Sequence, residues 1–244
     1  MDRAARRAHE REIWQDRAER ASDAFGLVLL MVIVTFVIVS LLENRDWEAV
    51  LISVATGSTS VVALTSSQSK RRFVRGALWL SALTVLLTVI AAISDVRIFF
   101  DVASCVQISL LAVSMVAVLR RVISTAAVNS RTILGALSVY TVLGMLFSFL
   151  YGLVDRLQNG PFFEGVAETQ GSDFLFFSYT TLTTTGYGNL IPEGQPGEML
   201  STFEMLIGQI FLVTLVAGLV SLWSPGSALR RHRGGEGGAS EPSA

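Results

Sequence analysis

Cysteine is all but missing: Cys105 is the single one in 244 residues. That excludes an intrachain disulfide and any cysteine-based metal cluster, and its place in an apolar run reads as a small packed side chain. An excess of charge of either sign is missing too, with 19 Lys and Arg against 20 Asp and Glu for a net charge of -1. The chain therefore carries no basic footprint for nucleic acid. Charged residues make up 16% of the whole and hydrophobic ones 51%. Several apolar runs of about 20 residues place the chain among helical membrane proteins rather than those that need a water-soluble core. No constellation of catalytic side chains stands out, and enzymatic activity is not expected.

What is there is organised around residues 173–189, Asp-Phe-Leu-Phe-Phe-Ser-Tyr-Thr-Thr-Leu-Thr-Thr-Thr-Gly-Tyr-Gly-Asn. The first half favours a short helix. The second half cannot continue it, because Gly186 and Gly188 bracket Tyr187 and glycine reaches backbone conformations denied to other residues. Apolar runs flank the stretch at 133–154 and 199–223. Non-helical backbone at membrane depth survives only where it is buried in protein or lines a watery path. Carbonyls freed from helix bonding there can replace the water shell of a cation.

Thr184-Thr185-Gly186-Tyr187-Gly188 resembles the selectivity filter of the potassium channel family, Thr-Val-Gly-Tyr-Gly, with a pore helix at 174–183 before it. The resemblance covers about the last hundred residues and says little of the first 130. It implies potassium coordination by the backbone carbonyls of Thr184, Thr185, Gly186 and Tyr187 and by the Thr184 hydroxyl. Two residues depart from the family pattern. Thr185 stands where valine is usual, adding a hydroxyl that needs a hydrogen-bond partner behind the filter. Asn189, at the outer mouth, replaces an aspartate and removes one negative charge per subunit. Both bear on conductance and inactivation more than on ion identity.

Taken in order, residues 1–23 mix alanine with mutually neutralising charges and read as a cytoplasmic N-terminal helix, lying at the membrane surface or solvated. Residues 24–121 form a four-helix transmembrane domain with spans at 24–42, 49–67, 77–93 and 99–119. The second span is rich in serine, threonine and glycine, which suits close helix packing better than lipid contact. Residues 132–224 form a pore domain: an outer helix from about 132 to 151, an exposed turret at 152–171, the pore helix capped by Ser172 or Asp173, the filter, and an inner helix from Glu198 or Met199. Residues 225–244 read as a disordered cytoplasmic tail, with no room for a regulatory ligand-binding domain.

Orientation follows from basic residues, which are enriched in short cytoplasmic connections. Lys70, Arg71, Arg72 and Arg75 follow the second span, Arg120, Arg121 and Arg131 the fourth, and Arg230, Arg231 and Arg233 the sixth. The other three connections carry more acids than bases. Six spans with both termini inside and the filter loop outside satisfy every connection. The fourth span lacks the spaced arginines that a voltage sensor would move through the field, so the first four helices resemble a voltage-sensor domain without gating charges.

On the inner helix, the resemblance puts a gating hinge at Gly208; room for a neighbouring helix explains that glycine equally well. Glu204, one turn earlier, is an ionisable group within a span and so a functional candidate, read here as a brace behind the filter. Gln209, Leu212, Val216 and Val220 share one helical face and would line the cavity, unless they form a core stripe.

The fold expected is thus an all-α membrane protein with six transmembrane helices, a re-entrant pore helix and a tetrameric pore. The function implied is passive, potassium-selective conduction by a homotetramer in the lipid bilayer, not strongly voltage-gated, with no cofactor beyond permeant potassium. The short loops point to a bacterial inner membrane. The alternatives are a potassium transporter subunit, a less selective cation channel, and a membrane scaffold or sensor whose loop only resembles a filter.

Overall fold

Runs of apolar residues long enough to cross a bilayer satisfy their backbone only as helices, and helices are what they form. The computed structural model describes residues 26–38, 48–67, 71–94, 96–124, 130–166 and 168–223. Seven helices lie among the described residues: α1 (Gly26–Ile38), α2 (Glu48–Ser66), α3 (Arg71–Ser94), α4 (Arg97–Ser124), α5 (Ser130–Leu157), α6 (Gly171–Leu182) and α7 (Gln195–Trp223). Five of them, α2 to α5 and α7, are long and apolar enough to span a membrane. α1 is an apolar helix of 13 residues over its described length, and the remainder of the first expected span lies outside the described residues, as do the expected N-terminal helix and tail.

α2 packs on both α3 and α4, and its hydroxyls explain how. Thr56, Thr59 and Ser60 are all buried, each returning its hydroxyl to a backbone carbonyl of the preceding turn. The same face reaches its neighbours: Thr59 shares a hydrogen bond with Thr35 of α1 at 3.2 Å, and Ser53 with Thr88 of α3 at 3.0 Å. α4 then packs on α5, joining this bundle to the C-terminal half. One core serves both halves, with Val28 and Val32 of α1, Ala63 of α2, Leu111 and Val118 of α4, and Val139, Val142 and Met145 of α5 packed together.

α5, α6 and α7 form a triangle in which each helix touches the other two. α5 is the most buried of the five long spans and α7 the least. Boundaries differ from expectation: α3 begins six residues before 77, α4 runs five residues past 119, and three more differences lie in this triangle. α5 continues six residues beyond Tyr151 to Leu157. α6 begins at Gly171, and its cap is Gln170, whose N–H donates to the carboxylate of Asp173 at 2.9 Å, so Asp173 serves from the third position and not as the cap itself. α7 begins at Gln195, because Pro196 sits in its first turn, where a missing N–H is harmless.

The segment between α5 and α6 is not the wholly exposed turret expected. Phe162 and Phe163 are fully buried, packed edge-on against each other and against Phe174 and Phe177 of α6, with Tyr151 of α5 beside them. Two large apolar rings outweigh the turn-forming Asn159-Gly160-Pro161 next to them. Around this anchor the segment pairs with the chain that follows residues 183–189: Glu164 N–H donates to Ile191 O at 2.9 Å and Glu193 N–H to Phe162 O at 2.7 Å.

Candidate functional site

α6 ends because its last amides turn back on it. Thr183 N–H donates to Tyr179 O, Thr184 N–H to Thr181 O, and both Thr185 N–H (2.8 Å) and Gly186 N–H (3.2 Å) to Thr180 O. The amides of 183–186 are thus drawn towards the helix. Among the described residues, no hydrogen bond is accepted by the carbonyls of Thr184, Thr185, Gly186 or Tyr187, and the whole stretch 183–189 is exposed on this single chain.

The backbone alternates in hand. Thr184, Gly186 and Gly188 have φ of 56°, 50° and 77°, whereas Thr185 and Tyr187 are not among the positive-φ residues. Such alternation gathers N–H groups on one side of a chain and carbonyls on the other. Glycine takes the left-handed conformation at little cost, but Thr184 takes it against the preference of a β-branched residue. The strain is retained where the surroundings over-determine it. Here the helix carbonyls behind 184–186 do so.

Side chains fix the loop from behind. Thr183 donates its hydroxyl to Tyr179 O at 2.7 Å, which leaves the Thr185 hydroxyl to donate to Thr183 Oγ1 at 2.8 Å. The extra oxygen of Thr185 is therefore satisfied within the loop. Tyr187 stacks on Phe176 of α6, with ring centroids 5.8 Å apart and planes at 15°. Asn189 is exposed and has no partner among the described residues.

Beneath the loop lies a buried polar knot. Glu204 of α7 is fully buried, accepting from the Tyr151 hydroxyl of α5 at 2.5 Å and bonded to the Ser178 hydroxyl of α6 at 2.6 Å. Ser178 also lies 2.7 Å from Gly144 O. One carboxyl group thereby joins all three helices of the triangle. Two further tyrosines extend it: Tyr140 donates to Leu182 O at 3.1 Å, at the end of α6, and Tyr179 to Thr141 O at 2.7 Å.

Gly208 is buried one turn below Glu204, against the C-terminus of α6. A Cβ there would lie 2.6 Å from Leu182 O and 2.8 Å from Leu182 Cδ1. Gln209, Leu212, Val216 and Val220 are exposed on the other side of α7. The structure thus gathers Thr184 to Gly188, Glu204 and Gly208 about one helix end, and leaves the Gln209 face apart and uncovered by this chain.

Tyr140, Tyr151, Ser178, Thr180 and Thr183 were not singled out from sequence. Tyr151 carried a signal, since a phenol inside an apolar run must find a partner for its hydroxyl. Thr180 carried none, because it acts through its backbone.

The geometry agrees with what residues 135–224 match: a family model described as an ion channel, consistent with potassium channels. No curated protein matches the chain. With its apolar helices, the chain is a multi-pass membrane protein with an ion-channel segment.

Proposed function

We propose, with the ion-channel segment at 135–224 as premise, that this chain is the subunit of a homotetrameric, potassium-selective channel. The observation that carries the reading is the loop 184–188: alternating hand, amides held by Thr180 and Thr181, and carbonyls left unbonded on an exposed face. Those carbonyls of Thr184, Thr185, Gly186 and Tyr187, with the Thr184 hydroxyl, take the place of water around a dehydrated potassium ion. One chain supplies one such loop, and closing a ring around an ion calls for four.

The uncovered face of α7 supports the same stoichiometry. Phe203, Leu206, Ile210 and Val213 are all more than half exposed on the single chain. In the tetramer this surface meets neighbouring subunits, and the Gln209, Leu212, Val216 and Val220 face lines the inner cavity. The basic connections put both termini in the cytoplasm of what we read as a bacterial inner membrane. With no basic residue from Ile98 to Leu119 in α4, opening depends little on membrane potential. Glu204 acts as the brace behind the filter. The contact of Gly208 with Leu182 favours close packing as the reason for that glycine over a bend.

Purified protein in planar bilayers, with potassium on one side and sodium on the other, tests the reading. The expected result is a reversal potential strongly displaced towards the potassium equilibrium value. Equal permeation of the two ions would support the less selective cation channel, and a flux per molecule far below channel rates would support the transporter.

A further inference from the structure

The polar knot beneath the loop has more short contacts than its hydroxyls have hydrogens. Tyr151 Oη lies 2.5 Å from Glu204 Oε2, and Ser178 Oγ lies both 2.6 Å from Glu204 Oε1 and 2.7 Å from Gly144 O. All three are hydrogen-bond distances between oxygens, and each calls for a hydrogen of its own. The two hydroxyls supply one apiece, and the carbonyl supplies none.

An ionised Glu204 leaves the third contact empty. Ser178 would then donate either to the carboxylate or to Gly144 O, and the other pair would be two bare acceptors pressed together in a buried site. A proton on Glu204 Oε1 fills the gap. Oε1 donates to Ser178 Oγ, Ser178 donates to Gly144 O, and Tyr151 donates to Oε2, which is the carbonyl oxygen of a carboxylic acid.

The surroundings favour the same state. Glu204 has no exposed surface, and a charge taken out of water is kept only where it is paired. The titratable groups that face it are phenols, Tyr140 and Tyr151 of α5 and Tyr179 of α6, none of which can carry positive charge. α6 and α7 contain no lysine, arginine or histidine. The charged groups described on the three helices are engaged or placed elsewhere: Arg156 pairs with Asp101, Asp155 meets Thr169, Asp173 meets Gln170, and Glu198 stands in the first turn of α7.

We propose that Glu204 is a neutral carboxylic acid at neutral pH, with its proton on Oε1, and that the tie between α6 and α5 depends on that proton. While the proton is held, Ser178 bonds Gly144 O. When hydroxide removes it as water, Ser178 turns its hydrogen to the carboxylate and Gly144 O is released. Two residues after Ser178, Thr180 O holds the amides of Thr185 and Gly186, so the release slackens the seat of the loop. Glu204 is thus a positioning residue whose action is set by pH. This deepens the reading of Glu204 as a brace, and its test needs no ion flux, so its failure is distinct from a failure of potassium selectivity.

Infrared spectroscopy of the full chain in phosphatidylglycerol–phosphatidylcholine vesicles reads the proton directly. At neutral pH the wild type should show a protonated-carboxyl carbonyl band that is lost in Glu204→Gln. The band should move to higher frequency in Tyr151→Phe, where Oε2 loses its donor, and fade as the pH is raised. Over the pH range below that fading, the unfolding midpoint of the wild type should fall relative to that of Glu204→Gln. The sign follows because the folded chain holds a proton that the unfolded chain, with Glu204 in water, gives up. Should Glu204→Gln fail to fold, the shift in Tyr151→Phe decides. A wild type without the band, a band that Glu204→Gln retains, no shift in Tyr151→Phe, or midpoints that run parallel with pH overturns the proposal.

Discussion

Replacing Gly208 with alanine separates two accounts of the inner helix. The added methyl would stand 2.6 Å from Leu182 O, and ordinary contact begins at 3.4 Å, so helix and carbonyl must part by about 0.8 Å. Neither side yields easily. Leu182 O belongs to the last turn of α6 and accepts from Tyr140, and α7 is tied one turn away by Glu204. Overpacking of this kind costs about 1–3 kcal/mol, while alanine returns about 1 kcal/mol of helix propensity. The second quantity is isolated by a control, Gly76→Ala in α3, where a Cβ meets nothing within 4 Å. Gly208→Ala should therefore fall below Gly76→Ala in stability by about 1–3 kcal/mol, the packing term alone. Thermal unfolding of the two variants in one detergent, followed by tryptophan fluorescence, measures the difference. The displaced Leu182 also adjoins Thr183 and Thr184, so ion selection should be degraded in the same variant. A Gly208→Ala protein as stable as the control, with selection intact and only open probability changed, would refute the packing argument and favour a bend.

Other outcomes follow from neighbouring contacts. Glu204→Gln should preserve assembly and selectivity, since its oxygen accepts from Tyr151 while its amide donates to Ser178 and frees that hydroxyl for Gly144 O; Glu204→Val should lose about 1–3 kcal/mol by leaving the buried Tyr151 hydroxyl unpaired, read by unfolding of both variants. Phe162→Ala should cost about 3–5 kcal/mol and expose the 158–166 segment to limited proteolysis, whereas resistance equal to the wild type would mean the aromatic anchor is dispensable. The conductance–voltage relation should be shallow; a steep one with measurable gating current, from this chain alone, would contradict the reading of α4.

The long spans were legible because an apolar run of bilayer length has one structural solution, and the non-helical loop at 184–188 because two glycines one residue apart interrupt such a pattern. Glu204 was legible as an anomaly, an acid inside a span, though its partners had to come from folding. What stayed hidden depends on tertiary packing or on backbone. Phe162 and Phe163 sit beside turn-forming residues and read as part of an exposed loop, until α6 supplies rings to bury them. Gln170 is an uncommon cap, preferred here because Asp173 can reach back to its amide. Gly208 left bend and close approach evenly matched, as propensity alone cannot distinguish them.

The pairing of the 162–164 segment with residues 191–193 has a mechanical consequence for α7. Its first end is clamped there, held again at Glu204, wedged at Gly208, and steadied by the stacking of Phe211 on Tyr140, centroids 5.6 Å apart. Beyond that ring, the side chains of Leu212, Val213, Val216 and Val220 are exposed on this chain. Among the described residues the helix is thus a beam fixed along its first half, so a load applied beyond Phe211 is spent at these four holds before it reaches residues 184–188.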